Sequence, residues 1–473
     1  MNALHTKRPA QESAQKQVSP SAMDATKKTD RLDLEDSQHN LLHSQPVETV
    51  SFDEKAILGQ LKRVMAEVLE LKRQARWEDI VALCHPIEEK YPVLLKVGLD
   101  SDLRRELAFA MTHLNMHQQA LDQVKAAMLD DCNDYQLNYA YAYIAYDALY
   151  RHKNREIQLS PKERAEYVGI AHAYFRRCQF LAPKRVIPYY REAMLYKDIE
   201  DKQKKAVPLF QKAIGNWRKY SREEREKHHH ERPKYVKALY HLASCHVRLE
   251  RPKSALGLME DLMKEDEGLD YVHPHFKHFA MAKVLYRLNK YQEAISHLRV
   301  AAKEHLDKAR HQAPDYVTEL MAACFLGLGR PDDAIRAISQ IPDKARRPYV
   351  RWREAEALMA KGSPDEALNA LSACLEKDRR SRHKTLLKMA KIYFELKQYQ
   401  GVIECAKKAA QFFKVTYQNP LQEATYLEAL SRYMLGETEK AKELIVSLKR
   451  EGFKYPGFKK NYSIITGKKA GNA

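Results

Sequence analysis

The stretch that decides the fold runs from His275 to Leu306 and reads HFKHFAMAKVLYRLNKYQEAISHLRVAAKEHL. Apolar residues recur at helical spacing as far as Leu288, stop at a polar turn, and resume at the same spacing from Ala294. The pattern predicts two amphipathic helices joined by a tight turn. Because such a pair cannot bury its apolar face alone, it predicts neighbours of the same kind along the chain.

Small or apolar residues equivalent to Ala294 recur throughout the sequence. In chain order they are Ile80, Ala120, Ala171, Ala206, Ala255, Ala294, Ala334, Ala367, Val402 and Ala441, and we call them the marker residues. Their spacing runs from 33 residues (Ala334 to Ala367) to 51 (Ala120 to Ala171). This scatter indicates a divergent array of helix pairs in which some helices or loops are lengthened.

Turn residues support the same period. Prolines three residues before a marker alanine predict the first turn of a helix, where a missing N–H costs nothing. Glycines just before these turns predict left-handed caps at the end of the preceding helix. The prolines are Pro252, Pro331 and Pro364, and the glycines are Gly329, Gly362 and Gly436. Ser160 and Glu163 are spaced as a capping box that opens another helix.

The unit resembles the tetratricopeptide repeat (TPR), whose 34-residue period places small residues where Ala282, Ala294 and Ala301 stand. The resemblance covers residues 61–455 and is clearest from Lys234 onward. It implies an all-α fold, a right-handed α-solenoid of about ten TPR-like helix pairs.

Composition agrees with a helical protein that binds anionic partners. Only 15 of 473 residues are glycine, 44% are hydrophobic, and the formal net charge is +18. The seven cysteines are scattered and odd in number, which favours a reducing compartment. No apolar run approaches the roughly 20 residues of a membrane helix, and the first residues lack the apolar core of a secretory signal. We therefore expect a soluble, cytoplasmic protein without membrane insertion.

Shifts in composition suggest five regions. Residues 1–51 contain no aromatic residue, Gly or Cys and predict a disordered segment. Residues 52–216 and 235–455 are predicted to form two blocks of repeats. Between them, residues 217–234 read as a charged, His-rich connection in a solvated helix extension or loop. Residues 456–473 read as a basic C-terminal tail.

The sequence offers little chemistry for catalysis or metal binding. Three consecutive histidines, His228 to His230, point about 100° apart on a helix and are poorly placed to hold one ion. Nucleophile-elbow, HExxH, P-loop and dinucleotide-binding motifs are absent. We expect no cofactor, no metal ion and no enzymatic activity.

The resemblance implies that the first helices of successive pairs line a concave groove that faces a ligand. The residues aligned with groove positions are aromatic and basic, types that dominate binding hot spots. The candidates for partner binding are Arg248, Phe276, Phe279, Lys283, Tyr286, Arg287, Tyr316, Tyr349, Trp352 and Lys391. Aromatic residues at helical spacing also fill gaps between helices, and that alternative accounts for about half of the aromatic candidates.

The expected function is a non-enzymatic scaffold or adaptor that holds a peptide or helix of an acidic partner protein in this groove. The alternative is binding of RNA or another nucleic acid through the basic surface and the C-terminal tail. In that alternative Tyr455, Phe458 and Tyr462 would stack on bases. A capping helix followed by a solvated tail explains the same residues.

Overall fold

The structure is a computed structural model that describes residues 52–129, 131–304, 313–375 and 378–467. Within these ranges the regular structure is helical and contains no strand, so the prediction of an all-α solenoid is confirmed. The chain divides between His273 and Pro274 into two compact units. The predicted disordered segment 1–51 and the end of the predicted tail, 468–473, lie outside the described residues. The domain bounds proposed above remain predictions.

The N-terminal unit consists of helix pairs with short helices between some of them. In each pair we call the earlier helix the first helix and the later one the second helix. The pairs are α1 (Phe52–Arg73) with α2 (Trp77–Cys84), α5 (Ser101–His113) with α6 (His117–Ala127), α7 (Tyr135–Lys153) with α8 (Pro161–Leu181), α9 (Ile187–Met194) with α10 (Gln203–Lys219), and α12 (Arg232–Arg248) with α13 (Pro252–Glu265). The intervening short helices are α3 (Ile87–Lys90), α4 (Pro92–Lys96) and α11 (Arg222–Lys227), and α9 continues into a π-helical turn, Leu195–Ile199.

The C-terminal unit repeats the same arrangement and ends with a single capping helix. Its pairs are α14 (Pro274–Arg287) with α15 (Tyr291–Glu304), α16 (Asp315–Gly327) with α17 (Pro331–Ser339), α18 (Pro348–Lys361) with α19 (Pro364–Leu375), α20 (Arg382–Glu395) with α21 (Tyr399–Tyr417), and α22 (Gln422–Met434) with α23 (Thr438–Arg450). Helix α24 (Phe458–Thr466) packs on α23.

The marker residues occupy equivalent places in all ten described pairs. Each lies on the second helix of its pair, and none is more than 1% exposed. A small side chain at this position lets two helices approach closely, and close packing makes the position sensitive to added volume. The spacing of the marker residues therefore predicted the position of the second helix in each of the ten described pairs.

The predicted turn chemistry is also present. Pro252, Pro331 and Pro364 are the first residues of α13, α17 and α19. Gly362 ends α18 with a φ of 87°, a left-handed conformation that an L side chain rarely adopts. Ser160 and Glu163 form the complete capping box at the start of α8.

The His-rich connection is mostly exposed over residues 221–229, as its charge predicts, but it is buried near both of its ends. His230 is 6% exposed and Glu231 is fully buried. The Glu231 carboxylate accepts hydrogen bonds from the Arg185 guanidinium at 2.5 Å, the Val186 backbone N–H at 2.8 Å and the Tyr220 hydroxyl at 2.9 Å. A buried carboxylate is costly unless it is hydrogen-bonded. The hydrogen bonds of Glu231 therefore connect the start of α9 and the end of α10 to the start of α12.

We predict that Ala367→Leu lowers the free energy of unfolding by about 1–3 kcal/mol, because the marker alanine is fully buried in the core and additional methyl groups must displace neighbours. Ala360→Leu on the neighbouring helix α18 adds the same volume at an exposed position and is the matched control. Urea unfolding followed by circular dichroism measures both. Equal midpoints for the two variants would contradict the assigned packing.

Candidate functional site

The first helices of the C-terminal unit form a continuous surface, which we call the first-helix face. It comprises the side chains of α14, α16, α18, α20 and α22 that contact one another across neighbouring first helices. These cross-helix contacts involve aromatic rings, ammonium or guanidinium groups and carboxylates. They fall into an aromatic end on α14 and α16 and a charged stretch from α16 to α22.

The aromatic end is built around Phe279 and Tyr316. Their ring centroids lie 4.8 Å apart in an edge-to-face arrangement, and the Lys283 ammonium lies 5.8 Å from the Phe279 centroid. His275 is fully buried behind these rings. Its Nδ1–H must donate to the Ala301 carbonyl, 2.7 Å away, which leaves Nε2 to accept from the Tyr316 hydroxyl. The buried histidine therefore fixes the orientation of Tyr316 on the face.

The charged stretch links three first helices. The Arg353 guanidinium on α18 lies 2.8 Å from a Glu319 carboxylate oxygen on α16 and 2.5 Å from a Glu356 oxygen one turn along α18. The Lys388 ammonium on α20 reaches Glu356 at 2.8 Å. Burial lowers the pKa of Arg353, but Glu319 and Glu356 outweigh it and raise that pKa above its ordinary value. The residues form one network, since Glu356 is shared by two cations.

Trp352 does not lie on the exposed surface where the sequence alignment placed it. Its side chain is 7% exposed and belongs to the hydrophobic core, and the indole N–H donates to the Thr385 hydroxyl at 2.9 Å. The ammonium groups of Lys384 and Lys388 each lie 5.9 Å from the Trp352 ring centroid. Helix α20 therefore covers the indole, and the surface above it consists of the side chains of Lys384 and Lys388.

The remaining C-terminal candidates are accessible to different degrees. Phe276 and Tyr286 are half-buried, while Arg287 is exposed at the end of α14. Burial and a hydrogen bond to Asp315 raise the pKa of Tyr349. Lys391 is exposed on α20.

Lys391 ends the charged stretch through an ion pair of 2.8 Å with Glu423 on α22. The structure thus places nine of the ten candidates in the C-terminal unit. It brings Phe279 and Tyr316 into direct contact.

Arg248 belongs to the N-terminal unit and ends α12. Its guanidinium pairs with Asp201 at 2.9 Å, next to a second pair in which the Lys197 ammonium lies 2.7 Å from Asp198. Burial raises the pKa of Asp198, but Lys197 and Lys153 outweigh burial and lower that pKa to about 2. Lys197 and Asp198 stand in the π-helical turn that follows α9, a feature that helical spacing in the sequence does not signal.

The C-terminal aromatic residues pack as a cap and leave little for base stacking. Phe458 and Tyr462 are 6% and 7% exposed and lie in one cluster with Tyr426. The Lys449 ammonium covers the Tyr462 ring at 4.6 Å from its centroid. The interpretation of this region as a capping helix is therefore supported as far as residue 467, and the basic side chains around it are exposed, namely Lys454, Lys459 and Lys460.

The described part of the chain contains neither a metal-binding cluster nor a membrane-spanning helix. No cluster of three or more His, Cys, Asp or Glu side chains there is arranged to hold a metal ion. All seven cysteines are free thiols, and Cys132 is the exposed one. Among the described helices, none combines the length and apolar character needed to cross a bilayer.

Comparison with known proteins gives one sequence match and many fold matches. The sequence model of the family "Anaphase-promoting complex, cyclosome, subunit 3" matches residues 225–301. No curated protein sequence matches the chain.

Among solved structures, a tetratricopeptide repeat protein from Parabacteroides merdae is 12% identical, covers 59% of this chain and 98% of its own, and has a TM-score of 0.40. The structure of pilF of Pseudomonas aeruginosa is 16% identical, covers 50% of this chain and 98% of its own, and has a TM-score of 0.35. YrrB, described as a TPR protein with an unusual peptide-binding site, is 14% identical, covers 38% of this chain and 87% of its own, and has a TM-score of 0.27.

The ten helix pairs and their buried marker residues define the fold as an array of tetratricopeptide-type repeats, and residues 225–301 are similar to the family named above. Folds of this class serve in general as scaffolds for protein interaction.

We predict that a buried and an exposed member of the candidate set respond differently to truncation to alanine. Trp352→Ala should lower the free energy of unfolding by about 3–5 kcal/mol, since it removes a buried ring and the partner of Thr385. Arg287→Ala should change it by less than about 0.5 kcal/mol because the side chain is exposed. Urea titration of both variants distinguishes core from surface members, and an unchanged midpoint for Trp352→Ala would refute the burial of the indole.

A second prediction concerns acid stability. The folded-state pKa of Asp198 lies below its ordinary value, so the ionised carboxylate stabilises the fold above about pH 4 and this contribution disappears as the pH falls toward 2. About 1 kcal/mol should be lost by pH 3 and about 2 kcal/mol by pH 2. Asp198→Asn should remove this part of the acid dependence in urea titrations between pH 5 and pH 3. Asp201→Asn, at a side chain 48% exposed, is the matched control and should keep it.

Proposed function

We propose that this protein acts by binding and not by catalysis, and that its first-helix face holds a peptide or helix of an acidic partner protein. The observation that carries the proposal is the aromatic end of the face, where half-exposed rings on α14 and α16 lie beside basic side chains. Aromatic and basic side chains together supply the large contact area and directed charge typical of binding hot spots.

The packing of the aromatic end favours recognition over simple core filling. Phe279 and Tyr316 remain half-exposed although their neighbours on the same helices, His275 and Val317, are buried. The His275 side chain holds the Tyr316 hydroxyl in place, so the surface is ordered before a partner arrives. A preformed surface reduces the entropy lost on binding.

Charge supports an acidic partner. Lys283 and Arg287 lie one turn apart at the C-terminal end of α14, and Lys384 and Lys388 lie one turn apart on α20. The carboxylates of Glu319, Glu356 and Glu423 on this face are each drawn into ion pairs within it. A ligand carboxylate would find cations on α14 and on α20, and complementary charge mainly sets specificity and association rate.

We further propose a cytoplasmic location. Seven free thiols, one of them exposed, are the state expected in a reducing compartment. Fractionation of cells that express a tagged chain tests this proposal, and recovery in an oxidising compartment with Cys132 in a mixed disulfide would refute it.

The binding proposal is tested with a fluorescent random copolymer of glutamate and tyrosine, with polyglutamate and polyuridine as comparison probes. Lys283→Glu combined with Arg287→Glu should weaken copolymer binding at least tenfold in fluorescence anisotropy, because it reverses two charges beside the aromatic end. Wild type should bind the copolymer more tightly than polyglutamate, since tyrosine can pack on Phe279 and Tyr316.

The matched control is Arg299→Glu combined with Lys303→Glu. These exposed residues lie one turn apart on α15, the second helix of the same pair, and the change in net charge is identical. The control should bind the copolymer within about twofold of wild type. Equal losses in both double variants would mean unspecific charge attraction. Tighter binding of polyuridine, with a steep salt dependence, would favour the nucleic-acid alternative instead.

A further inference from the structure

Two histidines face each other between the helices of the first C-terminal pair. His278 on α14 and His297 on α15 have their Nδ1 atoms 2.9 Å apart, and their ring centroids are separated by 5.1 Å. Both rings are half-buried. The contact therefore joins one nitrogen of each imidazole between two helices.

The protonation of the pair follows from its geometry. A hydrogen bond between two Nδ1 atoms requires that one carries a proton and the other does not. Burial lowers the pKa of both imidazoles, and for His278 the neighbouring His297 and Lys277 lower it further. Both rings are thus held neutral at pH 7, the state in which imidazole binds transition metals.

Charged groups of both signs surround the pair. Glu293 precedes His297 by four residues on α15, so the two side chains share a helix face. Glu304 acts electrostatically on His278 and favours positive charge there. Lys277 opposes it, and the Glu293 carboxylate is itself paired with the Lys290 ammonium at 3.2 Å, so two carboxylates face two ammonium groups.

We propose that His278 and His297 form a two-histidine site for a late first-row divalent ion such as Zn²⁺, with water molecules completing the coordination. Zinc–nitrogen bonds of about 2.0–2.1 Å at a tetrahedral angle place two ligand nitrogens about 3.3 Å apart. The present separation of 2.9 Å must therefore open by a few tenths of an ångström, and both rings must turn so that their Nδ1 lone pairs converge on the ion that replaces the shared proton.

The bound ion would clamp α14 to α15. Helix α14 also carries Phe279, the residue after His278, so the clamp would stiffen the helix that bears the aromatic end of the first-helix face. The metal site does not depend on the proposed peptide binding, and its test uses no peptide.

The experiment titrates Zn²⁺ into the chelator-stripped full chain by calorimetry at pH 7.5. His278→Leu should lose one binding event or weaken it more than tenfold. His229→Leu, which removes an exposed histidine from the His228–His230 run, is the matched control and should retain that event. His278→Cys should also retain it, because a thiolate binds Zn²⁺ but replaces the imidazole hydrogen bond poorly.

Circular dichroism of each variant shows whether it is folded, and binding by His278→Cys separates the loss of a ligand from the loss of structure. In wild type, lowering the pH from 7.5 to 5.5 should weaken the event at least tenfold, because protons compete for both imidazoles. Zinc binding by His278→Leu at wild-type affinity would overturn the site. Joint loss in the Leu and Cys variants would likewise assign the pair a hydrogen-bonding role alone.

Discussion

The structure depends on one constraint, which is that an amphipathic helix pair cannot bury its apolar face without another pair beside it. The ten fully buried marker residues are where the constraint is met, since each sits at the point of close approach between helices. Stability in such an array comes from nearest neighbours, and the end of the array needs a different solution. In the C-terminal unit that solution is α24, whose Phe458 and Tyr462 cover the last pair.

The first-helix face combines two kinds of interaction with different consequences. The aromatic end is held by buried partners behind it, as His275 holds Tyr316, so its shape is set before any ligand binds. The charged stretch is held by ion pairs that differ in exposure, from Arg353 with Glu319 at 14% and 12% to Lys391 with Glu423 at 47% and 30%. Exposed pairs contribute little to stability individually and respond to salt, whereas buried pairs are screened much less. The response of the charged stretch to salt should therefore be largest where it ends on α22.

The fold could be predicted from the sequence because its signals are local. Each signal acts within one helix pair or one turn. The marker residues, the proline that begins α13 and the glycine that ends α18 all lie where the sequence predicts them. The site was less predictable, because exposure depends on which helix covers a side chain. Trp352 occupies a groove position in its own repeat, yet α20 buries it. Glu231 and the Lys197–Asp198 pair likewise depend on partners that no periodicity reveals.

The sharing of Glu356 between Arg353 on α18 and Lys388 on α20 has a thermodynamic consequence. Any ligand cation or anion that takes one member of this network changes the strength of the link between the two helices. By linkage, a change in that link must alter the affinity for the ligand by the same factor. Binding at the charged stretch and the spacing of α18 and α20 are therefore coupled quantities, and ionic strength acts on both at once.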